Sequence, residues 1–174
     1  MKIAFFSWES LHSIPVGGIA AHVTELAAAL ERQGNEVHVF TRMGANQSLH
    51  ERIDGVHYHR CPFPLNPDFV EEVDGMCRAF IHYLWESEDY SGPFNVVHAH
   101  DWLTAKALVW AKDGRGRPGV FTMHSTEYGR CGNQHWEGRS AQIRSREWEG
   151  TFRADRVITV SKSLRGEVMN LYQV

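Results

Sequence analysis

The segments KIAFFSW at residues 2–8 and GGIAAHVTELAAALERQ at residues 17–33 decide the fold of this chain. The first is short and mostly apolar, which predicts a buried strand, and the second carries apolar residues at helical spacing. Gly17 and Gly18 lie at the turn between them, where glycine lets the backbone approach a ligand closely. The helix start adds unpaired N–H groups and a positive dipole end. The segment therefore predicts a turn that binds an anion such as a nucleotide diphosphate, with a plain tight turn as the alternative.

Strands and helices alternate along the rest of the chain. The pattern predicts further strands at residues 36–41, 55–61, 95–100, 120–124 and 156–160. It predicts helices at residues 69–86, 102–112, 140–152 and after Ser161, with an exposed loop at 43–53 and a polar connector at 87–93. This alternation indicates a doubly wound parallel α/β sheet covered on both faces. The length of 174 residues suits a single domain.

Composition excludes several classes of protein. The apolar fraction of 43% and the charged fraction of 22% are typical of a soluble globular protein. The net charge of −3 gives no reason to expect nucleic acid as a partner. Because no apolar run approaches about 20 residues, we expect membrane contact to be peripheral at most. Three cysteines without CxxC spacing argue against a disulfide framework or a structural zinc site, and we expect a cytoplasmic protein.

Histidine is the compositional outlier, with eleven residues. His57 and His59 alternate within one predicted strand, and His98 and His100 within another, so each pair lies on one face of its strand. A zinc site needs three or four converging ligands, and neither an HExxH motif nor a Cys/His cluster is present. We therefore interpret His57 and His59 as surface strand residues and expect no metal site.

Polar residues collect where the predicted strands end. In an open parallel sheet, ligands bind outside the carboxyl ends of the strands, near the switch point in strand order. Four strand ends carry such residues. They are Gly17 and Gly18 after the first strand; His98, His100, Asp101 and Trp102 at the strand 95–100; His124, Ser125, Thr126 and Glu127 at the strand 120–124; and Ser161 and Lys162 after the strand 156–160. Asp101 or Ser161 alone could be a helix cap, but four polar ends favour a shared cleft. The GxGxxG, GxxxxGK[ST] and GxSxG motifs are absent.

The same motifs, taken together, resemble the N-terminal domain of a GT-B glycosyltransferase of the retaining family-four type, similar to glycogen and starch synthases. The motifs are Gly17-Gly18 followed by His22, VHAHDW at 97–102, FTMH at 121–124 and ADRVITVS at 154–161. The resemblance spans nearly the whole chain. It implies that residues 1–174 form the acceptor-side, Rossmann-like domain, and that a C-terminal donor domain is absent from this chain.

The resemblance also implies roles for individual residues. Gly17 and Gly18 would bind the donor diphosphate, and His124 would be the catalytic residue beside the donor sugar. The remaining site residues would belong to the acceptor side of the cleft: His22, His100, Asp101, Trp102, Ser125, Glu127 and Ser161. The implied reaction transfers a hexose from a nucleotide-sugar to a carbohydrate, lipid-linked or small-molecule acceptor without metal or cofactor. The isolated fragment would be inactive.

Two positions depart from the pattern of glycogen and starch synthases. Pro15 stands where those enzymes have lysine, and Ser125 stands where they usually have asparagine. Both departures favour the broader family-four group. Two other functions stay open at this point: a nucleotide-sugar epimerase of GT-B shape, and a non-catalytic module that binds a sugar or nucleotide.

Overall fold

A computed structural model describes all 174 residues of the chain. The strands are β1 (Lys2–Phe6), β2 (Glu36–Arg42), β3 (His50–Ile53), β4 (Val56–Cys61), β5 (Val96–His100), β6 (Gly119–Met123) and β7 (Arg156–Thr159). The helices are α1 (Gly18–Arg32), α2 (Phe69–Ser91), α3 (Ala105–Arg115), α4 (Glu127–Arg130), α5 (Arg139–Arg153) and α6 (Lys162–Tyr172), and a 3₁₀ turn covers Trp102–Thr104. None of the helices combines length with enough apolar character to cross a lipid bilayer.

The strands form one sheet in the order β3-β4-β2-β1-β5-β6-β7. Every neighbouring pair is parallel except β3 and β4, which are antiparallel. The chain starts in the centre at β1, builds outward through β2 to β4, and then returns to β5 on the other side of β1. The predicted doubly wound parallel sheet is confirmed, and its switch point lies between β1 and β5.

The sheet is buried on both faces, as parallel sheets usually are. Phe5 and Phe6 are adjacent in β1, point to opposite faces and are both fully buried. Phe5 belongs to a cluster of 8 buried residues beneath α1 that includes Val23 and Tyr58. Phe6 belongs to a cluster of 23 buried residues, which also contains Phe80 of α2. The apolar side of α1 therefore covers one face of the sheet, and helices such as α2 and α3 cover the opposite face.

Two predicted boundaries were wrong. The loop predicted at 43–53 ends in strand β3, which pairs with β4 through a tight turn at Asp54 and Gly55, whose φ angles are 50° and 82°. An Asp-Gly pair with positive φ at both residues is the strongest short hairpin signal, and the polar sequence of β3 concealed it. The polar connector predicted at 87–93 is helical as far as Ser91, because Glu88 is buried and accepts a hydrogen bond from the Phe94 amide at 3.1 Å.

His57 and His59 are not the surface residues that the sequence indicated. Both are half-buried, and their rings stack on His38 with centroid distances of 4.5 and 5.0 Å. His38 Nδ1 lies 2.8 Å from His59 Nε2, and His50 Nε2 lies 3.1 Å from His57 Nδ1. The prediction failed because two elements that the sequence did not indicate lie beside these rings: the last turns of α2, beyond residue 86, and strand β3. We call His38, His50, His57 and His59 the second histidine cluster, to distinguish them from the three histidines at the candidate site described below.

Candidate functional site

The predicted polar residues do collect at one edge of the sheet. The carboxyl ends of β1, β5, β6 and β7 lie side by side in the sheet order and lead into the segments that contain Gly17, Asp101, His124 and Ser161. The turn after β1 and the turn after β5 flank the switch point, where the two halves of the sheet diverge. A crevice at such a point is the usual ligand site of an open α/β sheet.

The glycine pair lies at the first turn of α1, and the fold itself does not require glycine there. Gly17 has extended angles, φ −149° and ψ −158°, which any residue adopts. A Cβ built on Gly17 would meet nothing closer than a Glu9 carboxylate oxygen at 3.6 Å, and a Cβ on Gly18 would meet nothing within 4 Å. The two glycines therefore leave open space in front of a helix N-terminus.

Glu9 shows that this turn can bind an anion. Its carboxylate is buried, and Oε2 accepts hydrogen bonds from the backbone amides of Val16, at 2.7 Å, and Gly17. The next amides, of Gly18 and Ile19, belong to the unpaired first turn of α1 and have no hydrogen-bond partner in the protein. The turn thus holds one carboxylate and presents further donors to a second anion. Sequence reasoning missed Glu9, although it lies three residues after the end of β1.

Three imidazoles meet beside this turn. His100 Nδ1 and His124 Nε2 are 3.2 Å apart. The ring of His22, on α1, has its centroid 4.9 Å from that of His124 and 5.7 Å from that of His100. His100 is buried, His124 is half-buried and His22 is exposed, so the three rings lead from the sheet interior to solvent. The sequence placed all three residues in one cleft but gave no sign that their rings contact one another.

The two inner imidazoles are neutral at pH 7. Burial, together with a smaller contribution from the neighbouring His22, lowers the pKa of His124 to about 4. Burial also holds the pKa of His100 well below its ordinary value. A neutral imidazole has one N–H donor and one acceptor nitrogen, so His124 can both donate to and accept from a polar ligand.

Asp101 fixes the position of His124. Its carboxylate oxygen Oδ1 accepts a hydrogen bond from the His124 amide at 2.8 Å, and its own amide donates to the Thr122 carbonyl at 2.9 Å. Asp101 has a φ of 58°, a conformation that is uncommon outside glycine. Strain of this kind clusters at functional sites, where the surrounding structure enforces it. Asp101 is buried, and burial raises its pKa to about 6.

Not every predicted site residue reaches the cleft surface. Trp102 is buried in the main core, with its ring packed edge-on against Phe69 at a centroid distance of 5.8 Å. His100 is also buried and reaches the cleft only through His124. Ser161 is the N-cap of α6, and its Oγ accepts a hydrogen bond from the Leu164 amide at 3.0 Å. Gly17, Gly18, His22 and Ser161 are exposed and Ser125 is half-buried, so these five residues remain accessible to a ligand.

A buried carboxylate that no motif indicated holds the segment after His124. Glu147 of α5 is fully buried and accepts hydrogen bonds from the Glu127 amide at 2.8 Å, from Arg130 at 2.7 Å and from the Tyr172 hydroxyl of α6. Arg130 also donates to Ser125 Oγ at 2.7 Å. Burial raises the pKa of Glu147 to about 7, and the Tyr172 and Arg130 contacts oppose that shift. The predicted site residues Ser125 and Glu127 are therefore tied to α5 and α6 through Glu147.

Comparisons with known proteins agree with this geometry. The profile of the family described as Glycosyltransferase Family 4 matches residues 16–174. An uncharacterized glycosyltransferase of Methanocaldococcus jannaschii is 36% identical over 99% of the chain, and a glycogen synthase of Mycobacterium tuberculosis is 30% identical over 99%. The chain covers 43% and 45% of these two relatives, so it spans less than half of their length.

Solved structures show the same fold at low sequence identity. A sucrose-phosphate synthase from Thermosynechococcus elongatus superimposes with a TM-score of 0.76 at 20% identity, over 97% of this chain and 44% of that one. The catalytic domain of starch synthase IV from Arabidopsis thaliana, bound to ADP and acarbose, gives a TM-score of 0.69 at 15% identity, over 98% of this chain and 49% of that one. The sheet is thus of the GT-B, Rossmann-like kind.

Proposed function

Because this chain belongs to glycosyltransferase family 4, we propose that the protein that contains it transfers a hexose from a nucleotide-sugar to an acceptor, with retention of anomeric configuration. The observation that carries this proposal is the glycine turn: open space and free helix amides face the neutral imidazole of His124 at the switch point. The chain spans less than half of its relatives, so a further domain would supply the rest of the donor site.

The donor diphosphate is proposed to lie against the glycine turn. Negative charge accumulates on the diphosphate as the bond to the sugar breaks, and preorganised N–H donors aimed at that charge stabilise the transition state. The amides of Gly18 and Ile19 offer such donors, and the dipole of α1 adds to them. Since backbone groups supply part of this field, we propose that transfer needs no metal ion or cofactor.

His124 is proposed to contact the donor sugar. It follows β6 at the sheet edge, and the hydrogen bond from its amide to Asp101 sets its position relative to the glycine turn. As a neutral imidazole, it can bond a sugar hydroxyl without adding a positive charge that would compete for the diphosphate. The exposed His22 and the half-buried Ser125 lie next to it and are candidates to contact an acceptor.

The glycogen synthase among the relatives makes an α-glucan the first acceptor to test, followed by lipid-linked and small-molecule acceptors. We also place the protein in a reducing, cytoplasmic compartment, on the ground that Cys61, Cys77 and Cys131 are all free thiols. The isolated 174-residue chain should be inactive in transfer, because it would lack part of the donor site.

Incubation of the full-length protein with labelled UDP-, ADP- and GDP-sugars and this acceptor panel tests the proposal. Label that appears in the acceptor, with the anomeric configuration of the donor, supports retaining transfer. Isomerised free sugar or nucleotide-sugar without transfer would instead identify an epimerase. Saturable donor binding without turnover would identify a non-catalytic module, and inverted product would refute retention.

A further inference from the structure

We propose that His22, His100 and His124 form a binding site for a first-row transition-metal ion such as Zn²⁺, with one coordination position open to the cleft. The three residues come from α1, the end of β5 and the segment after β6. One potential ligand nitrogen from each can be chosen such that all three lie within 4.8 Å of one another. Three imidazoles and an open position are the ligand set of a reactive or exchangeable zinc site rather than a closed structural one.

The distance between the two inner imidazoles suits a shared metal ion. Zinc binds imidazole nitrogen at about 2.0–2.1 Å, so two nitrogens on a tetrahedral ion lie about 3.3 Å apart. His100 Nδ1 and His124 Nε2 are 3.2 Å apart in the protein, close to the separation that a shared tetrahedral ion requires. The third ring, His22, is exposed on the first turns of α1, and rotation of its side chain can complete the set.

The hydrogen bond between the two inner imidazoles must break before one metal ion can bind to both rings. One of the two nitrogens, His100 Nδ1 or His124 Nε2, carries the hydrogen of this bond and must lose it before both nitrogens can bind the ion. A neutral imidazole does this by carrying its proton on the other ring nitrogen, which for His100 is Nε2, a buried atom with no hydrogen-bond partner.

The environment indicates reversible binding. Imidazoles of permanent metal sites almost always donate their second N–H to a carboxylate or carbonyl, which raises affinity. His100 Nε2 has no such partner, so this set lacks one of the features that tighten a permanent site. A metal ion on His124 would occupy the imidazole that is proposed to contact the donor sugar. Zinc should therefore inhibit transfer, an effect that rests on the proposed function, whereas metal binding itself does not.

Titration of the untagged 174-residue chain with Co²⁺ tests the site, because four-coordinate Co²⁺ gives visible absorption bands and Zn²⁺ then displaces it. We expect one equivalent of Co²⁺ to bind and Zn²⁺ to abolish the bands. Loss of a supporting residue outside the ligand set typically weakens metal affinity about 10–100-fold, so His22→Ala, which removes a ligand, should weaken it by about 100-fold or more. His22 is exposed, so this variant should keep the far-UV circular dichroism of the wild type.

His50→Ala, in the second histidine cluster, is the matched control and should bind Co²⁺ like the wild type. The proposal fails if the wild type gives no four-coordinate bands, if His22→Ala binds as tightly as the wild type, or if His50→Ala loses the bands instead. The transfer assay on the full-length protein separates the two proposals. Co²⁺ binding without any transfer would refute the glycosyltransferase and leave the metal site standing.

Discussion

His124 is the residue at which the chain's chemistry is concentrated. It combines a fixed backbone, held by Asp101, with a neutral imidazole whose pKa burial has lowered to about 4. Of the two histidines at the carboxyl ends of β5 and β6, His124 is the one that stays partly accessible. His100 is buried, and His22 lies on the helix opposite. Its position at the end of β6 placed His124 among the predicted cleft residues, and the family resemblance singled it out from them.

His124→Ala in the full-length protein should lower kcat about a hundredfold to a thousandfold. Loss of one transition-state hydrogen bond at a preorganised site costs about 2.7–4 kcal/mol. Steady-state kinetics with the preferred donor measure the effect, and circular dichroism checks that the fold is retained. His82→Ala is the control, because His82 is exposed on α2, remote from the sheet edge that carries His124, and its polar partner is Glu86 at 3.5 Å. Equal activity of the two variants would remove His124 from the proposed donor site.

At the scale of single elements, the second histidine cluster makes stability sensitive to acid. Burial lowers the pKa of His38 to about 3 and also lowers that of His59. Both folded-state values lie below the ordinary histidine value of about 6.5, so the unfolded chain binds more protons once the pH falls below 6.5. The stabilising contribution of these neutral rings is present above about pH 6.5 and is lost as the pH decreases.

The free energy of unfolding should therefore fall between pH 6.5 and pH 5, by up to about 1.4 kcal/mol per pH unit for each such histidine. Urea denaturation of the 174-residue chain at several pH values measures this slope. His59→Asn removes one titrating ring and should make the slope shallower, even though it also lowers stability at pH 7. A slope that is unchanged in His59→Asn would show that this ring does not stay neutral in the fold.

Helix α5 holds the segment after His124 through Glu147. At about pH 8.5, where Glu147 is ionised, Glu147→Gln should destabilise the chain by about 1.5–3 kcal/mol, the usual range for a hydrogen bond to a charged group, because Arg130 and the Glu127 amide lose a charged acceptor. Urea midpoints measure the loss. Glu149→Gln on the same helix is the matched control: its partner Lys106 lies 2.9 Å away in a partly exposed pair, and such pairs contribute about 1 kcal/mol or less. An equal cost in both variants would contradict the special role of Glu147.

The elements differ in how well the sequence predicted them. Central strands such as β1 are apolar runs bounded by turn residues, and α1 has clear helical spacing, so both were identified to within two residues. Strand β3, with the sequence HERI, is polar because it lies at the sheet edge, and no apolar pattern marks it. The sequence placed His22 and His124 in one cleft, but the contact between their rings and the contacts of Glu147 with Arg130 arise only on folding, so no spacing predicted them.

At the scale of the whole molecule, one edge of the sheet carries the proposed chemistry and the rest carries stability. The switch point between β1 and β5 places the glycine turn beside Asp101 and His124, while the buried clusters on both faces hold the strands in register. This division explains why Gly17 and Gly18 lie next to open space in a chain whose interior is closely packed. We expect the donor diphosphate to fill this space when it binds.

The most direct measurement is the donor KM of Gly18→Ala beside that of Gly75→Ala, both in the full-length protein. An added Cβ meets nothing within 4 Å at either position, so neither variant should lose stability. A methyl group on Gly18 would obstruct the diphosphate, and loss of one contact to a charged group costs about 1.5–3 kcal/mol, so we predict a donor KM at least about tenfold higher. Gly75→Ala, on α2, should retain the wild-type KM. If Gly18→Ala also retained it, with unchanged kcat, the nucleotide-sugar would not bind at the glycine turn and the account of the site would be wrong.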